Sequence, residues 1–149
     1  MKEITGDIWE VRKTTGSWVC VTTNAIVNSS GLAVMGAGVA LQSAEKFKHI
    51  PKMLGQKLSK HGNRVYAFMD DQIFTFPTKQ NWRSESELDL IASSAMQLRE
   101  LLDAISSTSL NGKILLPRVG CGNGNLSWDK QVKPVVSAIL DDRFLVVSL

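Results

Sequence analysis

The chain has 149 residues, 44% hydrophobic and 21% charged, the balance of a single globular domain (residues 1–149) large enough to bury its own core. No apolar run approaches the ~18–20 residues that span a bilayer, and the N-terminus MKEITGDIWEV lacks an apolar stretch of the secretory kind, so neither a membrane partner nor export is expected. A net charge of +3 suits a polyanionic ligand but falls short of the dense basic patch that grips nucleic acid by charge alone.

In chain order, Lys2–Thr5 reads as a short strand ending at Gly6-Asp7. Ser17–Thr23, rich in β-branched and aromatic residues, predicts a central strand. The polar stretch Asn24–Leu32 leads to Met35-Gly-Ala-Gly and a helical run over Val39–His49. Pro51 ends that run and starts a second helix, Lys52–Lys60, closed by His61-Gly62-Asn63. Arg64–Met69 and Gln72–Phe76 form a hairpin pattern around Asp70-Asp71, followed by a loop from Pro77 to Arg83. A long helix is expected from Ser84 to about Ser106. Leu88, Ile91, Ala92, Ala95, Leu98, Leu102 and Ile105 recur on it near the 3.6 period, and Ser84 with Glu87 fits a capping box. Asn111-Gly112 turns the chain into the buried-looking strand Lys113–Leu116; a helix from about Trp128 to Leu140 and a closing strand, Arg143–Ser148, follow. Helices alternating with strands in a chain of this length predict a three-layer α/β/α sandwich on a mixed, mostly parallel sheet.

Two glycine-rich segments each follow a strand and precede a helix. In Val34-Met-Gly-Ala-Gly-Val-Ala40 the glycines allow a sharp turn, and a helix N-terminus attracts anions. The dinucleotide fingerprint is incomplete, because Leu41 stands where its third glycine would be, and no Gly-Lys-Ser/Thr follows to make a phosphate-binding P-loop. Alone, such a segment is as well explained by tight packing. Leu116-Pro-Arg-Val-Gly-Cys-Gly-Asn-Gly-Asn-Leu126 repeats the arrangement. If the two preceding strands are parallel neighbours, both loops open at one edge of the sheet. Two anion-friendly loops facing each other suit a diphosphate.

At Val34–Gln42, Phe76–Trp82 (FPTKQNW) and Leu116–Trp128 (LPRVGCGNGNLSW) the sequence resembles a macro domain. The match runs from Gly6-Asp7-Ile8 to the last strand and is nearest the branch of bacterial DNA ADP-ribosylglycohydrolases and the terminal ADP-ribose glycohydrolase. The resemblance implies ADP-ribose, free or on a macromolecule, as ligand, with transient contact to modified DNA, no metal, no cofactor, a monomeric state and a cytoplasmic location. It assigns Asp7 to the adenine amino group, with the Ile8 backbone beside it; a carboxylate accepts from that amine and repels a keto base. Asn24, next to Thr23, is implied to bind the distal ribose. Met35, Gly36, Ala37, Gly38 and Val39 would wrap that ribose and one phosphate. Pro117, Arg118 and Val119 lead into Gly120, Cys121, Gly122, Asn123, Gly124, Asn125 and Leu126, which would cover the diphosphate from the other side.

Catalysis is implied at Lys79, beside Thr78, where a lysine amine near the distal ribose can attack the anomeric carbon or stabilise the departing group. Gly124 departs from the family's terminal glycohydrolase, which has an aspartate there paired with the lysine; the DNA-directed branch also has Gly-Asn-Gly. Hydrolysis of a modified nucleic acid or protein carboxylate, a phosphatase acting on ADP-ribose 1''-phosphate, and a non-catalytic ADP-ribose reader all stay open. Ser43-Ala-Glu-Lys46 lacks the additional lysines common after the first loop in relatives, which argues against a strong grip on a nucleic-acid backbone from that helix. Cys20 and Cys121 lie 101 positions apart without metal-ligand spacing and read as free thiols, Cys121 as loop packing. His49 and His61 read as surface groups at helix ends. Trp9, Trp18, Trp82 and Trp128 read as core or pocket walls, with Trp82 the one candidate for stacking because it sits beside Lys79.

Overall fold

The computed structural model describes residues 1–105 and 112–149. Six strands form one sheet in the order β1-β6-β5-β2-β4-β3, with β1 at Lys2–Thr5, β2 at Trp18–Thr23, β3 at Ala67–Phe68, β4 at Ile73–Pro77, β5 at Ile114–Leu116 and β6 at Phe144–Ser148. All neighbours run parallel except β3 against β4. The central strand β2 alternates: Trp18 and Cys20 face one hydrophobic core while Val19 and Val21 face another, the period-2 consequence of a pleated strand buried on both sides. The first core is closed by α4 (Leu88–Ala104) and α5 (Lys133–Ser137), the second by α1 (Ile8–Thr15), α2 (Gly38–Lys46) and α3 (Ile50–His61). The sandwich is therefore the three-layer α/β/α form expected.

Helix α1 is the element that periodicity misses. Its eight residues bury only Ile8 and Trp9, too few to set up a stripe. Its start is nonetheless written in the chain, since Asp7 Oδ1 accepts from the backbone N–H of Trp9 at 2.8 Å and of Glu10 at 3.2 Å, an N-cap by an acceptor side chain. The long helix starts later than the pattern predicts. Its N-cap position is Glu87, with no side-chain cap, because Ser84 to Glu87 are drawn to the neighbouring loops: Glu87 N–H donates to Thr78 O at 2.9 Å and Ser86 N–H to Gly124 O at 2.9 Å. The capping box of Ser84 and Glu87 does not form. The expected helix end at Ser106, and Asn111 of the turn into β5, lie outside the described residues. Near the C-terminus, the single helix expected from Trp128 to Leu140 is a π-turn at Trp128–Val132 followed by the short α5. Pro134 lies in the first turn of α5, where its missing N–H costs nothing.

The connection from β2 to α2 is carried by close backbone packing. An added Cβ on Gly55, in the middle of α3, would lie 2.1 Å from Gly31 O, and Ala33 N–H donates to Pro51 O at 2.9 Å. The loop before the first glycine segment thus rests directly on the helix backbone. Ala in a helix interior outperforms Gly by roughly 0.5–1 kcal/mol, so Gly55→Ala tests which effect wins. Overpacking costs about 1–3 kcal/mol, and the variant is expected to be net destabilised, with a lower urea midpoint and an unchanged slope in equilibrium unfolding; a variant as stable as the parent would refute this close packing.

Candidate functional site

Because β2 lies between β4 and β5 and is parallel to both, the three strands end at the same edge of the sheet, the usual ligand edge of an open α/β fold. Asn24, Thr78-Lys79 and Pro117-Arg118 follow those strand ends directly. The ladder continues past the strands, as Thr78 N–H donates to Thr23 O at 3.1 Å and Ala25 N–H to Gln80 O at 2.9 Å. Above this edge opens a cavity of about 820 Å³, within the range of small-molecule sites.

Both glycine segments line it. Gly36 to Ala40 form one wall, and α2 begins there at Gly38 with Ala37 in the N-cap position and no side-chain cap. The first amides of α2 have no partner within the helix, the arrangement that receives an anion. At Gly38, φ is +57° and an added Cβ would meet nothing within 4 Å. Glycine is needed here for the backbone conformation, and the space beside it is open. Gly120, Cys121, Gly122, Asn123 and Gly124 form the opposite wall. This second loop is not followed directly by an α-helix: Gly122–Gly124 make a 3₁₀ turn, and the next helical turn begins only at Trp128. One helix N-terminus and one tight turn face each other, rather than two helix N-termini.

Most residues expected at the site converge on this cavity: Thr23, Asn24, Met35 to Val39, Thr78, Lys79, Pro117, Arg118 and Gly120 to Gly124 all line it. Asp7, Ile8, Val119, Asn125 and Leu126 do not. Val119 is fully buried in the core behind the loop. Leu126 N–H closes the loop onto Gly120 O at 3.1 Å, and Asn125 Nδ2 donates to Glu85 at 3.3 Å. Asp7 is exposed at the end of β1, two strands from β5 along the same edge; its Oδ1 caps α1, and Oδ2 takes no part in the cap. Asn24 already does structural work, its Nδ2 donating to Val34 O at 3.0 Å and its Oδ1 accepting from Ile26 N–H at 2.9 Å. The side-chain amide thereby staples the β2 end to the start of the first glycine segment.

Lys79 Nζ lies within reach of the carbonyl oxygens of Ser84, at 3.2 Å, and Trp82, at 3.5 Å. Arg118 is the second cation of the cavity. It lies over the Trp128 ring, 5.8 Å from the centroid, and 3.9 Å from Glu3. Glu3 also binds Lys133 Nζ at 2.6 Å and accepts from Trp128 Nε1 at 2.8 Å, and these partners hold its carboxyl below the usual range. No carboxylate lines the cavity among the described residues. Burial pushes the Cys121 thiol up, with Arg118 opposing, and its Sγ lies 3.6 Å from Val119 O, which agrees with a packing role.

Ser86 is the lining residue that sequence reasoning did not find. It is 7% exposed, its Oγ has no hydrogen-bond partner, and an added Cβ on Gly124 would fall 2.2 Å from that oxygen. The place an acidic side chain at 124 would need is filled by the Ser86 hydroxymethyl group. Thr22, Val34, Ala40 and Trp82 also line the cavity; Trp82, 46% exposed, differs from Trp9, Trp18 and Trp128, which are buried.

No family model matches the chain. It is 29% identical over 136 residues to the DNA ADP-ribosyl glycohydrolase of Mycobacterium tuberculosis, covering 83% of this chain and 37% of that protein; the chain spans well under half of that relative's length. It is 27% identical over 137 residues to the ADP-ribose glycohydrolase OARD1 of Bos taurus, covering 85% and 78%. Among solved structures, the macrodomain of Mycobacterium tuberculosis DarG superposes with a TM-score of 0.75 at 23% identity over 99% of this chain and 97% of that one. Thermosipho africanus DarTG in complex with ADP-ribose gives 0.74 at 20% identity, over 100% and 42%. The chain thus has the fold of the DarG macrodomain over nearly its whole length.

Proposed function

We propose that the domain binds ADP-ribose across this sheet edge and hydrolyses an ADP-ribosyl linkage on a macromolecule, with Lys79 acting at the anomeric carbon. The observation that carries the reading is the make-up of the cavity among the described residues: two cations, Lys79 and Arg118, and the uncapped start of α2, with no carboxylate in the lining. Such a lining favours a dianionic diphosphate and repels nothing on it. The strand order supports one direction for the ligand. Asp7 at the end of β1 and Lys79 at the end of β4 are four strand spacings apart, roughly 19 Å. An elongated ligand with adenine at Asp7, diphosphate between the glycine loops and distal ribose at Lys79 matches that track. The relatives support the reading by their names, a DNA ADP-ribosyl glycohydrolase and an ADP-ribose glycohydrolase.

With the amine unprotonated, Nζ can attack the anomeric carbon. The bond to the leaving group then breaks with its electron pair, and water later releases the ribose. With the amine protonated, the ammonium stabilises the departing group electrostatically. In either case the cavity offers no carboxylic acid to protonate a poor leaving group, so the linkage suited to it is one whose leaving group departs readily, such as a nucleobase nitrogen or a carboxylate. The same lack of an acid is what favours the second reading, a reader that binds without turnover.

Lys79→Ala is expected to keep its ADP-ribose affinity within about threefold by calorimetry, while release of ADP-ribose from modified DNA or a modified glutamate peptide falls at least ~100-fold, the scale of losing one acid–base or nucleophilic group. A wild-type protein that binds ADP-ribose but releases nothing from either substrate would establish the reader instead; turnover of ADP-ribose 1''-phosphate alone would establish the phosphatase. For Asp7, serine is the informative replacement, because it keeps the N-cap of α1. Asp7→Ser should leave the melting temperature nearly unchanged and weaken ADP-ribose binding about 10-fold, or ~1.4 kcal/mol. An unchanged affinity would remove Asp7 from the adenine site.

A further inference from the structure

Among the described residues, the buried side-chain polar atoms without a hydrogen-bond partner are Trp18 Nε1, Ser43 Oγ, Asn63 Oδ1 and Ser86 Oγ. Of these residues only Ser86 lines the cavity. A buried hydroxyl that gives up water and gains no protein partner costs free energy, whereas alanine would fill nearly the same space without that cost. An orphaned hydroxyl in the wall of a binding cavity therefore calls for a partner from outside the chain.

The place of Ser86 in the fold narrows what that partner is. Its backbone N–H donates to Gly124 O at 2.9 Å, and the next N–H, of Glu87, donates to Thr78 O at 2.9 Å. Two residues earlier, Ser84 O accepts from Lys79 Nζ at 3.2 Å. The backbone at 86 is thus pinned between the second glycine segment and the Lys79 loop, and χ1 is the one torsion left to place the oxygen. Oγ rests against Gly124, 2.2 Å from where a Cβ there would stand. A turn to another staggered rotamer carries it off Gly124 without moving the backbone. Asn24, the side chain expected at the distal ribose, already has both ends of its amide engaged, with Val34 O and Ile26 N–H. A sugar at Lys79 is therefore short of a side-chain partner, and Ser86 is short of a ligand.

We propose that Ser86 is a ligand-contacting residue: its hydroxyl turns from Gly124 when the site fills and hydrogen-bonds a hydroxyl of the distal ribose, which orients that sugar toward Lys79. This rests on the ligand placement proposed above, with the distal ribose at Lys79, and adds the group that holds it there. Glycine at 124 gives the hydroxyl its resting place. Because the bond is made only with ligand present, the residue trades stability of the chain for binding.

Affinities for ADP-ribose and for ADP, which lacks the distal ribose, are measured by calorimetry beside melting temperatures. Ser86→Ala is expected to melt no lower than the parent and to weaken ADP-ribose about 5-fold, the scale of one neutral hydrogen bond. Its ADP affinity should stay within twofold. Ser86→Cys, which keeps the size but donates weakly, should match alanine, and it carries the same comparison if the alanine variant does not fold. The difference between the two ligands decides. A serine that only packs, or only holds a water molecule, would leave ADP-ribose affinity unchanged or weaken both ligands alike, and either result overturns the proposal. So does a cysteine variant that binds ADP-ribose like the parent, or a parent that binds ADP as tightly as ADP-ribose; the ADP-ribose reading stands in all these cases. A parent that binds neither ligand fails that reading itself, and this assignment with it.

Discussion

The site depends on the placement of β2 between β4 and β5, parallel to both. Parallel pairing sends three consecutive strand ends to one edge, and the helices required to return the chain cover the two faces. Residues 24, 78–79 and 117–118, distant in the chain, become neighbours along roughly 10 Å of sheet edge. The hydrogen bonds that extend the ladder beyond Thr23 and Pro77 keep those ends from splaying. Lys79 consequently sits on a stiff support rather than on a free loop, which is what a reacting group needs if its distance to one carbon is to be held.

A second constraint links the Lys79 loop to the second glycine segment. Residues 84–87 forgo helical capping and instead bond to the two neighbouring loops: Ser84 O accepts from Lys79 Nζ, Ser86 N–H donates to Gly124 O and Glu87 N–H to Thr78 O. The long helix loses its first turn, and in exchange the Lys79 loop and the second glycine segment are held to one another. Gly124 is part of the same fit, since its missing side chain leaves the space that Ser86 fills. The absence of a carboxylate here is thus a packed feature with its own supporting contacts, not a simple deletion from a more acidic site.

Much of this was legible before any coordinates. Strand β2, the β3–β4 hairpin and the two glycine segments all follow from period-2 alternation, turn residues and glycine clustering, whereas Pro51 does not end α2, which stops at Lys46, but sits in the first turn of α3. Three features were hidden for definite reasons. Helix α1 buries only two side chains, so it has almost no stripe to detect, although Asp7 marks its start. The Ser84–Glu87 capping box is a valid local pattern that lost to stronger tertiary hydrogen bonds. Ser86 looked like one serine in a polar run, because its importance lies in a contact with a residue 38 positions away.

The sequence by itself determined most of the strands, the positions of the two glycine segments and the lysine beside them, because propensity, periodicity and backbone freedom are local properties. It also carried, through the order of its motifs, the resemblance that implies ADP-ribose as the ligand. Only the tertiary structure decided what surrounds the lysine. It brought Arg118 and the open start of α2 to the same cavity, left the lining without an acid among the described residues, and set Trp82 in its wall. Those are facts about which distant segments meet, and they arise from strand order and packing, which no single stretch of chain encodes.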